Sequence, residues 1–127
     1  MSPATRIGIV GPCKSGKSTL THKLAQAGYQ AHQIAQEHSF APAMWQRIGQ
    51  PDILIYLHCE YESSVERGLR WSEADYLEQQ PRLAHARQHA DLELATDNYS
   101  PEDILAKVLE FLTEVGAQKD EADGADG

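Results

Sequence analysis

Arg6-Ile-Gly-Ile-Val10 reads as a short buried strand that stops at Gly11. The chain then passes through Pro12, Cys13, Lys14 and Ser15 to Gly16, Lys17 and Ser18. A helical pattern follows, with Leu20, Leu24 and Ala27 on one face and Gly28 placed to close it as a left-handed C′ residue. This strand–loop–helix unit constrains the fold more than any other stretch. Gly11 and Gly16 permit backbone conformations closed to residues with a Cβ. Between them, successive N–H groups can converge into an anion-binding nest. The helix N-terminus adds unsatisfied donors and its positive dipole end.

The rest of the chain repeats the alternation. Tyr29 to Ile34 is predicted as a second strand, although Gln30, His32 and Gln33 make it polar. Pro42 starts a short helix carrying Met44, Trp45 and Ile48, and Gly49 ends it. Pro51 and Asp52 introduce Ile-Leu-Ile-Tyr-Leu at 53 to 57, a continuous apolar run typical of a central parallel strand. Ser63 with Glu66 forms a capping-box pattern, predicting a helix through Val65 and Leu69. Ser72 caps a further helix that Pro81 kinks or restarts, with Leu83, Ala86, Arg87 and Ala90 at helical spacing. Asp91 to Thr96 alternates as a strand nearer the sheet edge. Ser100, Pro101 and Asp103 open a last helix with Ile104, Leu105, Val108, Leu109 and Leu112 as its buried stripe, and Gly116 ends it. The expectation is an α/β fold: a mainly parallel sheet of about four strands with flanking helices. One domain spans residues 1–116, followed by an acidic, disordered tail at 117–127.

Bulk properties exclude several classes. A chain of 127 residues suits one domain. Its formal charge of −8 and the absence of a Lys/Arg run argue against nucleic acid as a partner. The tail explains only part of that charge, with four acids against Lys119. Cys13 and Cys59 do not make a disulfide framework. No apolar run is long enough to span a bilayer, and Met1 to Arg6 has no signal-peptide h-region, so a cytoplasmic protein without a membrane partner is expected.

Gly11 to Ser18 also fits G-x-x-x-x-G-K-[ST], the P-loop or Walker A pattern, at every fixed position. Gly11, Pro12, Cys13, Lys14, Ser15 and Gly16 then form the cradle of a nucleoside triphosphate. Lys17 reaches the β- and γ-phosphates, and Ser18 offers its hydroxyl to Mg²⁺. Thr19 touches the α-phosphate or caps the first turn. The Lys14 side chain reads as solvated, and Cys13 as a small loop filler. GTP recognition requires an Asn/Thr-Lys-x-Asp loop that the chain lacks, so ATP is the expected nucleotide. Ligands of parallel sheets bind beyond the carboxyl ends of the strands, which singles out Glu37, Glu60 and Asp97 among the acids. Asp52 and Asp91 fall at the opposite edge. Glu37 is the favoured carboxylate for a magnesium water or a general base, with a capping or surface role as its alternative. Arg82 or Arg87 could stabilise phosphoryl charge, or be ordinary surface arginines. His85 and His89 have the spacing of a helical zinc pair but lack a third ligand. Trp45 and Trp71 read as packing residues.

Gly11 to Thr19, Pro51 to Leu57 with Glu62 to Arg70, and Ala90 to Leu112 together resemble the P-loop nucleoside and nucleotide kinases, thymidylate kinase-like proteins in particular. The resemblance implies a Mg-dependent, ATP-binding, kinase-like NTPase in which Arg67 and Arg70 are lid-type phosphate contacts. Glu37-His38 stands where the family often has Asp-Arg. His58 departs from the Asp common at that strand end. The interval from Tyr29 to Gln50 is short for the acceptor-binding helices of that family, so the acceptor is left open. ATP hydrolysis or phosphoryl transfer is expected; an ATP-dependent binding module or a degenerate kinase is the alternative.

Overall fold

The computed structural model describes residues 4–12, 14–41, 43–48, 50–68 and 72–119. Four strands, β1 (Arg6–Val10), β2 (Gln30–Gln33), β3 (Ile53–His58) and β4 (Leu92–Ala95), form one wholly parallel sheet in the order β2-β1-β3-β4. The helices are α1 (Lys17–Gln26), α2 (Met44–Ile48), α3 (Tyr61–Glu66), α4 (Glu73–His89) and α5 (Pro101–Glu114). A 3₁₀ turn, Gln36–His38, follows β2.

The two-residue period of a strand divides the core. Ile7, Ile9, Ile55 and Leu57 point to one face, where Leu20 and Leu24 of α1 meet Ile104, Val108 and Leu112 of α5. Val10, Leu54 and Tyr56 point to the other, against Trp45 of α2 and Leu83 and Ala86 of α4. Each fully buried Leu or Ile contributes roughly 1.5–3 kcal/mol relative to exposure, so both layers are held chiefly by apolar burial. β3 is apolar on both faces because it is central. β2 can be polar because it is an edge strand, half-buried to exposed along its length. Asp52 and Asp91 act at the amino edge: their carboxylates accept from Arg6 N (2.9 Å) and Leu54 N (2.8 Å).

Two sequence expectations need correction. The helix assigned to start at Ser63 begins at Tyr61, with Glu60 as its N-cap. Ser63 lies inside it and its hydroxyl bonds Asp97; the Glu60 N–H donates to the same carboxylate (2.8 Å). A tertiary acceptor thus outcompetes the local cap. Pro81, for its part, does not restart a helix: α4 runs through it. That helix starts with a capping box between Ser72 and Asp75, and the Tyr76 hydroxyl donates to the Cys59 carbonyl at the end of β3. Packing of Leu83 and Ala86 on the sheet outweighs the loss of one helical donor.

Residues 117–119 are tied to the body. Thr5 N donates to Gln118 O (3.0 Å), Gln118 N donates to Thr5 Oγ1 (2.8 Å), and Ala117 packs on the α1–α5 layer. The predicted roles of Pro42, Gly49, Leu69 and Trp71, and of the tail beyond Lys119, lie outside the described residues. Among the described residues no helix is long and apolar enough to cross a membrane.

Candidate functional site

The carboxyl ends of β1, β3 and β4 meet at the Gly11–Ser18 loop. A Cβ on Gly11 would lie 2.1 Å from the Leu57 carbonyl oxygen, so the loop can cross the end of β3 only with glycine there. Gly16 is the N-cap of α1 with φ 103°, a left-handed conformation that favours glycine, and no side chain caps the helix. Lys14 is also left-handed, at φ 66°. The first-turn N–H groups of α1 are therefore the donors of an uncapped helix end beside a tightly curled backbone, an arrangement suited to an anion.

Lys17 points back into this loop. Its ammonium donates to Gly11 O (2.9 Å) and Pro12 O (3.0 Å) and pairs with Glu37 Oε2 (2.9 Å), which accounts for all three of its hydrogens. The pair is deeply buried, with Lys17 7% and Glu37 4% exposed. Glu37 is brought there by Gln36. The Gln36 side chain donates to Ala41 O and Arg82 O, and accepts from Trp45 N, pinning the 3₁₀ turn between α2 and α4. His38 lies beside the same carboxylate (3.8 Å).

The rim is built from several elements. Ser18 donates to Gln33 Oε1 at the end of β2 (3.0 Å). Arg67 donates to Lys14 O (2.8 Å), Thr96 Oγ1 (3.1 Å) and Thr96 O (2.6 Å). A cleft of about 570 Å³ runs from Lys14–Thr19 past Arg67 and Thr96 to Tyr99, Pro101 and Ile104. Polar loop residues, Arg67 and Thr96 line it together with Leu20, Leu57, Tyr99 and Ile104.

The other acids have different duties. Asp97 accepts from Glu60 N and Ser63. Burial pulls its carboxyl up, but the Ser63 hydroxyl, the Glu60 N–H, His58 and its own N–H together outweigh burial and hold it below the usual carboxylate range. A depressed carboxyl stabilises the fold above its unfolded pKa, and that stability is lost as pH falls through the folded value. Asp97→Asn should therefore lower the melting temperature at neutral pH and narrow the gap from wild type in acid. Thermal melts across pH 2–7 check this; a gap independent of pH refutes it. Glu60 lies by His58 (3.2 Å).

Arg87 is engaged away from the cleft. It forms a two-bond pair with Glu93 (3.1 and 2.7 Å), which raises the pKa of Arg87 and lowers that of Glu93. Arg82 donates to Glu37 O (3.3 Å) and lies over the exposed Phe40 ring. His85 Nδ1 accepts from the Trp45 indole (3.0 Å), and among the described residues no group of three or more His, Cys, Asp or Glu gathers as a metal site. Cys13 and Arg70 lie outside the described residues. Gln33, Thr96 and Tyr99 are site residues that the sequence reading missed. Thr96 and Tyr99 follow β4, at the carboxyl edge of the sheet where ligands of parallel sheets bind, and neither is an acid. No family model and no curated protein matches this chain.

Proposed function

We propose that the chain binds Mg-ATP through Gly11–Ser18 as a P-loop NTPase of the kinase-like type, and hydrolyses ATP or transfers its γ-phosphoryl group to an acceptor. The observation that carries this reading is Lys17: a buried ammonium at the start of an uncapped helix, folded into a glycine-bounded loop at the carboxyl edge of a parallel sheet. Binding would turn Lys17 from Gly11 O and Pro12 O towards phosphate oxygens, while the loop N–H groups supply the cradle. The donor set fits a phosphate. It also fits magnesium held mainly by phosphates and water, since Ser18 Oγ is the nearby hydroxyl and few protein oxygens are needed. Tyr99, a cleft-lining ring 42% exposed with the Lys107 ammonium 4.9 Å from its centroid, offers an aromatic surface on which a base can stack.

Titration calorimetry with Mg-ATP, Mg-GTP and magnesium pyrophosphate tests the reading. Wild type should bind all three phosphate compounds, ATP most tightly. Tyr99→Ala should weaken ATP roughly tenfold, the scale of one base–aromatic stack, and leave pyrophosphate unchanged. No binding of any of the three sinks the proposal. A second reading, an ATP-dependent binding module or degenerate kinase, is favoured by one feature: Glu37, the acid nearest the loop, is already paired with Lys17. Following ADP and inorganic phosphate, alone and with small hydroxyl acceptors, separates the cases. ADP with phosphate means hydrolysis, ADP without phosphate means transfer, and binding without ADP favours the second reading.

A further inference from the structure

We infer that Arg67 and Thr96 are positioning residues that hold the Lys14–Ser18 part of the loop in its anion-ready shape. This assigns Arg67 a duty other than the phosphate contact implied by the kinase resemblance. The affinity part of the inference rests on the nucleotide-binding reading; the loop-rigidity part does not.

The geometry is a short chain of hydrogen bonds. Arg67 follows the last residue of α3 and sends one guanidinium nitrogen to Lys14 O and Thr96 Oγ1, and another to Thr96 O. Thr96 is 3% exposed, and its N–H is fixed on His58 O (2.7 Å). Its hydroxyl accepts from Arg67 and donates to Ser15 O (3.0 Å), with His58 O the longer alternative (3.3 Å). Two consecutive loop carbonyls, those of Lys14 and Ser15, are thereby held by residues anchored on the carboxyl ends of β3 and β4.

Peptide planarity turns this into control of the donors. In a trans peptide the carbonyl and the following N–H point in opposite directions. Holding the Ser15 carbonyl on Thr96 therefore fixes the direction of the Gly16 N–H, and holding the Lys14 carbonyl on Arg67 fixes that of the Ser15 N–H, which bonds Pro12 O (3.2 Å). Lys14 sits at φ 66°, a conformation that a side-chain-bearing residue keeps only when its surroundings impose it. The Arg67 bond to Lys14 O supports it, together with the turn bond from Ser15 N to Pro12 O. A preformed nest loses less entropy on binding an anion than one that must first be ordered.

The test combines amide hydrogen exchange of the nucleotide-free protein with calorimetry. Arg67→Ala and Thr96→Val should each speed exchange of the Ser15 amide, the loop N–H held on Pro12 O in the nucleotide-free protein, by about tenfold, the scale of losing one charge-assisted hydrogen bond. The double variant should add little to the larger single effect, because both act through one chain of bonds. Each should weaken Mg-ATP, Mg-ADP and pyrophosphate by a common factor, and Thr96→Ser, which keeps the hydroxyl, should restore both readouts. Unchanged exchange in both variants, with ATP affinity lost only in Arg67→Ala, overturns the inference and makes Arg67 a direct phosphate contact. Should Arg67→Ala fail to fold, the contrast between Thr96→Val and Thr96→Ser decides the question alone. If wild type binds none of the three ligands, the nucleotide reading falls, and the exchange data still decide for or against the clasp.

Discussion

If Gly11–Ser18 binds Mg-ATP as proposed, Lys17→Met should weaken that binding by at least about thirtyfold, the lower end of what truncating a buried charge partner costs in a complex. The expected loss is not larger because the wild-type ammonium starts from three acceptors, Gly11 O, Pro12 O and Glu37, and must give some of them up to reach a phosphate. The same substitution takes from the buried Glu37 carboxylate its 2.9 Å ammonium partner, with the His38 imidazole 3.8 Å away. Removing one partner of such a pair typically costs about 3–5 kcal/mol of stability. The double variant Lys17→Met with Glu37→Gln removes both charges and should recover most of that loss, while binding stays weak. Denaturant unfolding of the two singles and the double measures the first claim, and calorimetry on samples shown to be folded measures the second. Wild-type affinity in a folded Lys17→Met protein would remove the basis for assigning phosphates to this loop. A double variant less stable than Lys17→Met would show that the pair is not the source of the stability effect.

Glu37→Gln separates binding from chemistry. The amide keeps the volume of the carboxylate and can still accept from Lys17, so the stability loss should be about 1–3 kcal/mol, the cost of disturbing one charged hydrogen bond. Affinity for Mg-ATP should stay within a few-fold of wild type. Two effects oppose each other: Lys17 is easier to withdraw from an amide than from a carboxylate, and a negative charge near the phosphates is gone. Turnover should fall by roughly a hundredfold or more, the usual scale for losing an acid–base group. Single-turnover ATP consumption at saturating magnesium checks this. Equal rates in wild type and variant would reduce Glu37 to a structural partner of Lys17, leaving Glu60 and Asp97 as the remaining acids beyond the strand ends.

The elements that could be read along the chain are those governed by short-range rules. β1 occupies the predicted residues, Arg6–Val10. α1 closes at Ala27 with Gly28 left-handed behind it, and α5 starts on Ser100 and Pro101. In each case a period, a cap residue or a positive φ is encoded within one or two turns of chain. The reading failed where a local signal met a distant competitor. Ser63 and Glu66 have the spacing of a cap, but Asp97, thirty-four positions from Ser63, takes the Ser63 hydroxyl and the Glu60 N–H, and the helix starts earlier. Pro81 carries a local instruction to stop, and the apolar face of α4 on the sheet overrides it.

The candidate site divides along the same line. A glycine-bounded loop between a buried strand and a helix, with Lys17 and Ser18 at the start of that helix, is legible along the chain, because backbone permissiveness and helix geometry are local properties. Which side chains surround the loop depends on how the strands and helices pack. Glu37 is twenty residues from Lys17, Arg67 fifty-three from Lys14, and Thr96 eighty-one from Ser15. Those contacts follow from the strand order β2-β1-β3-β4, which brings the carboxyl ends of β1, β3 and β4 to one edge. Spacing along the chain does not encode that order. It follows from the need of a strand apolar on both faces, β3, to lie inside the sheet and of a polar one, β2, to lie at its rim.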